Sequence, residues 1–500
     1  MMTKRAVLLD ERDSVAVAVE GVQPGEICEI TGAGSSTITV GEMIPRGHKI
    51  AIACMEKGEP VIKYGHSIGV AGMDIRQGAW VHTHNLASSL QGTHAYREPE
   101  HVYSWDGIAP NALMPKTFKG YRRMDGSVGI RNEIWIIPTV GCANKAVEGM
   151  KLRARTELGL DFVCFTHPHG CSQLGDDLAS TQKILAGLVK HPNAAGVLVV
   201  SLGCENNRIE SFKEALGSWD DNRVKFLSMQ DVGDEEAEAM KLLKELGDYS
   251  KGFERRNISL SELVLGMKCG GSDGFSGITA NPLVGRVADL IVQSGGSVVL
   301  SEVPEMFGAE TVLMNRACSK EVFDRIASLV NDFKQYFIRH GQEVYENPSP
   351  GNRDGGITTL EEKSLGCILK SGTSPVTDVI SYGAQVREKG LTLLWGPGND
   401  LVSATALSAA GAHMILFTTG RGTPYGAPST TVKISSNTDL SVRKPRWIDY
   451  DAGRLLAGKS FDELGADLFG FIVEVASGKE TRSEITGNRD IAIFKDGVTL

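Results

Sequence analysis

AGVLVVSLGC, residues 195–204, is an apolar, β-rich run that stops at a glycine and a cysteine. Three other stretches repeat the plan: EIWIIPTVGC (133–142), DFVCFTHPHGC (161–171) and ELVLGMKCGG (262–271). The segments between them, such as NKAVEGMKLRARTEL (144–158), LASTQKILAGLVKH (178–191) and DEEAEAMKLLKELGDY (234–249), have helical periodicity. Strands alternating with helices predict a parallel sheet covered by helices. The rhythm resumes after SDGFSGITANPLVGR (272–286) and runs through LTLLWGPGND (391–400) and GAHMILFTTGRGTPYG (411–426). A second α/β unit is therefore expected toward the C-terminus.

The N-terminal part reads differently. STITVGEMIPRGHKIAIACMEKGEPVIKYGHSIGVAGMDIRQGAWVHTHN (36–85) alternates apolar and polar residues, with Gly or Pro every few positions. Five hundred residues exceed one ordinary domain. The expected division is an all-β module over 1–95, a linker over 96–117, a first α/β domain over 118–252 and a C-terminal α/β domain over 253–500.

The composition, 41% hydrophobic and 23% charged, is that of a globular protein. Apolar runs such as SVVL and GVLVV are far too short to span a membrane. The first residues lack the pattern of an export signal. With 52 basic against 61 acidic side chains the formal charge is −9, and no long basic block stands out, so neither nucleic acid nor a membrane is expected as partner. Nine cysteines, an odd number scattered along the chain, predict reduced thiols in a cytoplasm.

Each of the four runs ends on a cysteine next to glycine: Cys142, Cys171, Cys204 and Cys269. In open parallel sheets ligands bind beyond the carboxyl ends of the strands. Thiolates there could hold iron or zinc, and glycine lets backbone approach a bound group. Cysteine is also a small apolar residue that closes buried strands. Four at equivalent places favour a shared metal site. Cys28, Cys54, Cys164, Cys318 and Cys367 lack this setting and are read as packing residues.

Other groups stand at loop starts. His82 and His84 in VHTHN alternate, which on a strand would turn both rings to one side. CENN (204–207) and GNDLVS (398–403) supply Glu205, Asn206, Asn399 and Asp400, which could grip hydroxyls or cap helices. Arg421 lies in a Gly-rich loop directly after MILF, where a guanidinium suits a carboxylate. No Walker sequence or Rossmann G-x-G-x-x-G follows a strand. In VCFTHPHGCSQLGDD (163–177), His167, His169 and Cys171 crowd into five residues, which reads as a chemical site.

GYRRMDGSVGIRNEIWIIPTVGCANK (120–145), HGCSQLGDD, LGCENN, CGGSDGFSGITANPLVGR (269–286), SEVPEMFGAE (301–310), ENPSPGN (346–352), GPGND and FTTGRGTPYG together resemble the altronate/galactarate dehydratase family. The resemblance covers nearly the whole chain, including an N-terminal module similar to the SAF (β-clip) domain. VHTHN and HPHGCSQLGDD look like the altronate branch, with His169 a departure from its pattern. Asn132, Ser272 and Asp273 fall inside these motifs and join the residues expected to bind substrate.

The resemblance implies a hydro-lyase that turns a sugar acid, D-altronate, into its 2-keto-3-deoxy derivative. It implies ferrous iron, with manganese as a possible substitute and an iron–sulfur cluster on three of the cysteines as an alternative. It also implies a homo-oligomer, most simply a dimer. Taking the C2 proton of an aldonate adds charge beside a carboxylate, and a bound metal can offset it. His167 is expected as base or acid, with His82 and His84 assisting and Arg421 on the carboxylate. The rivals are galactarate dehydratase, sulfolactate sulfo-lyase, and a sugar-acid-binding regulatory protein.

Overall fold

The computed structural model describes residues 4–90, 92–93, 95–99, 103–108 and 114–500. The first module is built of short strands, as the alternating pattern requires. Six form one sheet in the order Ser36–Thr39, Ile27–Gly32, Lys4–Leu8, Val15–Ala18, Lys49–Ala51, Trp80–Val81. Three more, Pro60–Lys63, His66–Ala71 and Leu86–Ala87, form a second. Ala6, Ala16, Ala18, Cys28, Ile30 and Ile50 pack together as the buried core of the module. Cys28 is thus a packing residue, as expected.

The hairpin joining Pro60–Lys63 to His66–Ala71 turns through Tyr64 and Gly65, both with positive φ (60° and 71°). Left-handed backbone at a tyrosine is costly, by about 1–3 kcal/mol, and persists only when the surroundings impose it. The ring is driven into the C-terminal domain, where a Cβ on Gly277 would meet the Tyr64 hydroxyl at 2.1 Å. Glycine at 277 makes that insertion possible.

Two parallel sheets follow. The first has the order Phe162–Cys164, Glu133–Pro138, Ala194–Ser201, Val224–Ser228. The second has seven strands: Val376–Ile380, Gly390–Leu394, Ser297–Leu300, Val264–Cys269, Met414–Thr419, Thr430–Ser435, Tyr450–Asp451. In each sheet the chain starts in the middle, fills one side (in the larger sheet reaching the edge strand Val376–Ile380 before inserting Gly390–Leu394), then crosses to the other. The switch points fall between Glu133–Pro138 and Ala194–Ser201, and between Val264–Cys269 and Met414–Thr419. Crevices open at such points beyond the carboxyl ends. The mainly parallel α/β fold read from the sequence is the one observed.

The two sheets share one orientation. Helices Gly175–Lys190 and Asp400–Ala409 pack together between them, so closely that a Cβ on Gly187 would sit 2.5 Å from the Ala409 carbonyl. Each helix runs back from a carboxyl edge, so their N-termini, and the loops holding Cys171 and Asp400, lie on one side. At the amino edges the His191 ring bonds the Ala412 carbonyl (3.0 Å) and Asn193 donates to the His413 carbonyl (2.9 Å). A small antiparallel sheet was not foreseen. In it Thr117–Arg122 pairs with Val128–Gly129 and with Arg256–Ser259, from beyond the expected boundary at 252/253. Such pairing is set by tertiary contact and leaves no periodic trace in so short a strand.

Residues 100–102 and 109–113 of the expected linker lie outside the described residues. Its described part straps onto the C-terminal domain through Tyr103 and Trp105, both bonded to Thr373. No helix among the described residues is long and apolar enough to cross a membrane.

Candidate functional site

At the switch point of the seven-stranded sheet, the loop after Cys269 meets the loop after Thr419. Gly270 donates to the Thr418 carbonyl (3.0 Å), and Gly420 and Arg421 both donate to the Gly271 carbonyl. Under these loops lies a buried chain of charges. Lys268 pairs with Glu302 and with Asp400 (2.8 Å). Glu302 also takes Lys370 (3.1 Å) and the Cys269 amide (3.1 Å). Glu305 takes Lys363 (2.9 Å) on one oxygen and, on the other, the thiols of Cys269 (3.0 Å) and Cys367 (3.1 Å). The two sulfurs are 3.4 Å apart.

Three ammoniums thus face three carboxylates, and Asp400, 35% exposed, is the member most open to solvent. Burial opposes ionisation of Glu305, but Lys363, Lys370 and Lys268 together hold its carboxyl well below the usual range. Burial and the charge of Glu305 push Glu302 up. The Cys367 thiol is pushed far up, first by its hydrogen bond to Cys269 and then by burial. Glu302 has φ 69°, a second left-handed side chain held by its partners.

Beside this chain is a small cavity of about 10 Å³ lined by Tyr64, Asp273, Asn281, Glu362, Lys363 and Cys367. The SAF-like module seals it. Lys49 donates to the Gly356 carbonyl, to Thr358 and to Glu362, each at 2.8 Å, while Lys63 takes the other Glu362 oxygen at 2.7 Å. All three ionic side chains are at most 1% exposed. Burial brings the Lys49 ammonium down to about 8 despite Glu362. Burial works against the Glu362 carboxylate, yet the two lysines bring it to about 2.

The residues expected to bind substrate divide in two. Asp273 lines the cavity and also an open pocket of about 320 Å³ shared by Arg46, Arg421 and Arg443. Its carboxylate already accepts from Phe275, Ser276, Ser436 and Asn437, so it braces the loops. Arg421 is exposed in that pocket, on a loop pinned by the Lys433 ammonium, which donates to the carbonyls of Thr423, Pro424 and Tyr425. Ser272 is buried and its carbonyl takes Asn352 (2.8 Å). Asn399 caps helix Asp400–Ala409 through Leu401 and Val402. Asn132 sits at the amino edge of its strand, bonded to Arg123 and the Ser250 carbonyl, at the opposite end from the crevice. Its expected contact with substrate is corrected to a structural one.

In the four-stranded sheet the loops carrying Cys142, Cys171 and Cys204 interlock at three neighbouring strand ends. Gly141 donates to His169 (2.8 Å), Asn207 to Gly170 (3.0 Å) and Thr139 (3.0 Å), and Ser172 to Asn206 (2.8 Å). Gly170, at φ 99°, admits no side chain, since a Cβ would lie 2.0 Å from the Thr139 carbonyl. Glu205 is saturated by Thr139, Ser201 and the amides of Leu202 and Gly203, and these bonds keep it ionised against the cost of burial. It staples the loop.

His167 is not placed as expected for a base. Its Nε2 bonds the Pro138 carbonyl (2.8 Å) and its Nδ1 accepts from the His169 amide (3.2 Å). Burial drives its pKa down to about 4. With Nε2 donating and Nδ1 accepting, the ring is neutral and both nitrogens are occupied, so it supports the loop that presents Cys171. His82 and His84 are not on a strand but in a turn closed by Asn85, which flanks the Trp80 indole with both rings. His82 is buried, its Nδ1 on Thr358 (3.0 Å) and its pKa driven by burial to about 4, whereas His84 is exposed. That turn cannot offer the two rings together to a metal.

The expected four-cysteine site also divides. Cys269 is buried with Glu305 and Cys367, the one set among the described residues with three candidate ligand atoms within 4.8 Å of each other. Cys142, Cys171 and Cys204 are exposed and do not form such a set. A single tetrahedral ion with bonds of about 2.3 Å needs its sulfurs closer than that. The three exposed thiols are therefore not arranged around a single ion. The buried set suits a substrate-binding metal poorly, because it offers no open side and two ammoniums, Lys363 and Lys370, press on the sulfurs.

Cys367, read from sequence as packing, and the ionic residues Lys268, Glu302, Glu305, Lys363 and Lys370 were missed. Lys268 inside LVLGMKC, and Glu302 with Glu305 inside SEVPEM, were visible as charges in apolar runs. Nothing local marks Cys367.

Against known families the chain matches three models end to end. These are the altronate/galactarate dehydratase SAF domain (residues 4–89), the D-galactarate dehydratase/altronate hydrolase second domain (120–251) and the D-galactarate/altronate dehydratase C-terminal domain (260–499). The chain belongs to the altronate/galactarate dehydratase family, whose members of those names are hydro-lyases. It is 49% identical to an altronate dehydratase of Bacillus subtilis (strain 168), over 99% of this chain and 100% of that one. It is 47% identical to an altronate dehydratase of Escherichia coli (strain K12), over 98% of each chain. A galactarate dehydratase (L-threo-forming) of Escherichia coli is 35% identical over 91% of this chain and 90% of that one.

Proposed function

We propose that this protein dehydrates D-altronate to 2-keto-3-deoxy-D-gluconate. The observation that carries the reading is identity of 49% and 47% to two altronate dehydratases over essentially full length, against 35% to a galactarate dehydratase. The geometry supplies the chemistry. Loss of the C2 proton puts a second negative charge on an aldonate, and fixed ammoniums in a dry crevice offset such charge most effectively. Lys268, backed by Lys370, stands at the crevice floor. Asp400 is the carboxylate of that chain most open to solvent, which suits it to exchange a proton with a bound sugar acid. Arg421, with no side-chain partner among the described residues, suits the carboxylate at the mouth.

Iron belongs to the same proposal. The soft thiols of Cys142, Cys171 and Cys204, on three neighbouring loops, suit it, and when bound it would supply Lewis-acid polarisation of a substrate oxygen. Free thiols throughout the described residues support a reducing cytoplasm, and the reading includes a homodimer, which sedimentation of the purified chain tests.

A 2-keto acid assay on D-altronate, galactarate and sulfolactate tests the substrate. D-Altronate should turn over fastest, and equal or faster turnover of galactarate would reject the choice. Iron and acid-labile sulfide, measured on anaerobically purified protein, test the cofactor. Cys171→Ser should lose both, and retention of full iron would move the site elsewhere.

A further inference from the structure

We propose that Cys269 and Cys367 form a modification site: a buried dithiol that hydroperoxides close reversibly into a disulfide, switching the enzyme off. The sulfurs already touch at 3.4 Å, and closing to a bond of about 2.05 Å moves them together by only about 1.4 Å in all. Cys269 ends strand Val264–Cys269, and Cys367 lies on helix Leu360–Ile368, one turn beyond Lys363 and on its face. The pair is closed to solvent, and Cys367 borders the adjoining cavity of about 10 Å³, the side from which a small oxidant must approach.

The surroundings assign a part to each sulfur. Cys367 keeps its proton and gives its S–H to the Glu305 carboxylate (3.1 Å), with the Cys269 sulfur 3.4 Å away. Lys370 and Lys363 direct positive charge at Cys269, and Glu305 is ready to accept from either thiol. As a thiolate, Cys269 attacks one oxygen of hydrogen peroxide. The O–O bond breaks, and the departing hydroxide takes up the proton Cys269 gave up, leaving water and Cys269 sulfenic acid. The Cys367 sulfur then attacks the Cys269 sulfur. The S–O bond breaks, and hydroxide leaves with the Cys367 proton as water. Two thiols and one peroxide become one disulfide and two waters.

Closure strips Glu305 of two donors and ties the helix carrying Lys363 to the strand carrying Lys268. This loss of turnover rests on the crevice being the catalytic site, whereas formation of the bond does not. The test uses the full-length native protein treated with hydrogen peroxide, then alkylated under denaturing conditions and mapped by peptide mass. A linked Cys269–Cys367 peptide should appear and vanish with dithiothreitol. Turnover of D-altronate should fall in step with it and return with dithiothreitol alone, without added iron.

Cys367→Ser should lose the dithiothreitol-recoverable fraction, while peroxide damage at the exposed cysteines stays unrecovered. Absence of the linked peptide, while exposed cysteines are oxidised, overturns the proposal without reference to activity. A linked peptide with turnover intact overturns the switch and moves the catalytic site away from this crevice. A recoverable fraction that survives in Cys367→Ser assigns the effect to other thiols and also overturns it.

Discussion

Replacing Glu362 by glutamine should free the SAF-like module from the C-terminal domain without changing any shape. Glu362 is the single anion between Lys49 and Lys63, and all three side chains are buried. Glutamine keeps the volume and one acceptor but leaves two ammoniums with no counter-charge. Breaking a buried ion pair from one side costs about 3–5 kcal/mol. The carboxylate itself leads to a similar figure. Its pKa falls from 4.5 to about 2 on folding, which is roughly 3 kcal/mol at about 1.36 kcal/mol per pH unit.

The pH dependence gives a second handle. Because the Glu362 pKa is depressed, its contribution is complete above 4.5 and is lost as pH falls toward 2. Lys49 acts in the other sense. Its folded pKa of about 8 lies below 10.5, so the unfolded chain binds more protons between those values and stability rises with pH there. Without Glu362, Lys49 gives up its proton at lower pH, so that rise starts earlier. The deficit of Glu362→Gln should therefore narrow as pH climbs toward 8. Hydrogen exchange at the amides of Lys49–Ala51 and Pro60–Lys63 reads the module locally, and should quicken on the order of 10²–10³-fold at neutral pH. Glu148→Gln, which removes an exposed pair with Lys145, should shift stability by no more than about 0.5 kcal/mol. Exchange in Glu362→Gln that matches the parent at every pH would refute the account of the interface.

Two further variants test the crevice. His167→Gln should leave the pH–rate profile unshifted and reduce turnover by less than about tenfold, while loosening the Cys171 loop, because the ring serves two backbone partners. A loss on the order of 10²–10⁴, with the acid limb gone, would restore His167 as the base. Asp400→Asn should cut turnover of D-altronate on the order of 10²–10⁴-fold with the fold intact, as expected for a group that exchanges the substrate proton. Unchanged kcat with only KM raised would make Asp400 a binding residue.

Much of the fold was legible because strands and helices write their periods into local sequence. The four runs are parallel strands, with Cys269 closing its strand and Cys142, Cys171 and Cys204 in the loops just beyond theirs, and with glycines where loops cross closely, as at Gly170. The family, too, was legible, since long ordered motifs survive in the sequence. The roles of single residues were harder to read. His82 and His84 alternate in sequence, but Asn85 folds them into a turn. His167 resembles a base until Pro138 and His169 are seen to occupy both its nitrogens.

The sequence by itself determined the order of elements, the strand-end cysteines and the family, because each rests on residues near one another in the chain. Only the tertiary structure decided which cysteines stand together. Cys269 and Cys367 are 98 residues apart in sequence and 3.4 Å apart in space. Likewise Lys49 and Lys63 reach Glu362 across about three hundred positions. Buried charge must find its partner wherever the fold brings one, and no local pattern encodes that meeting.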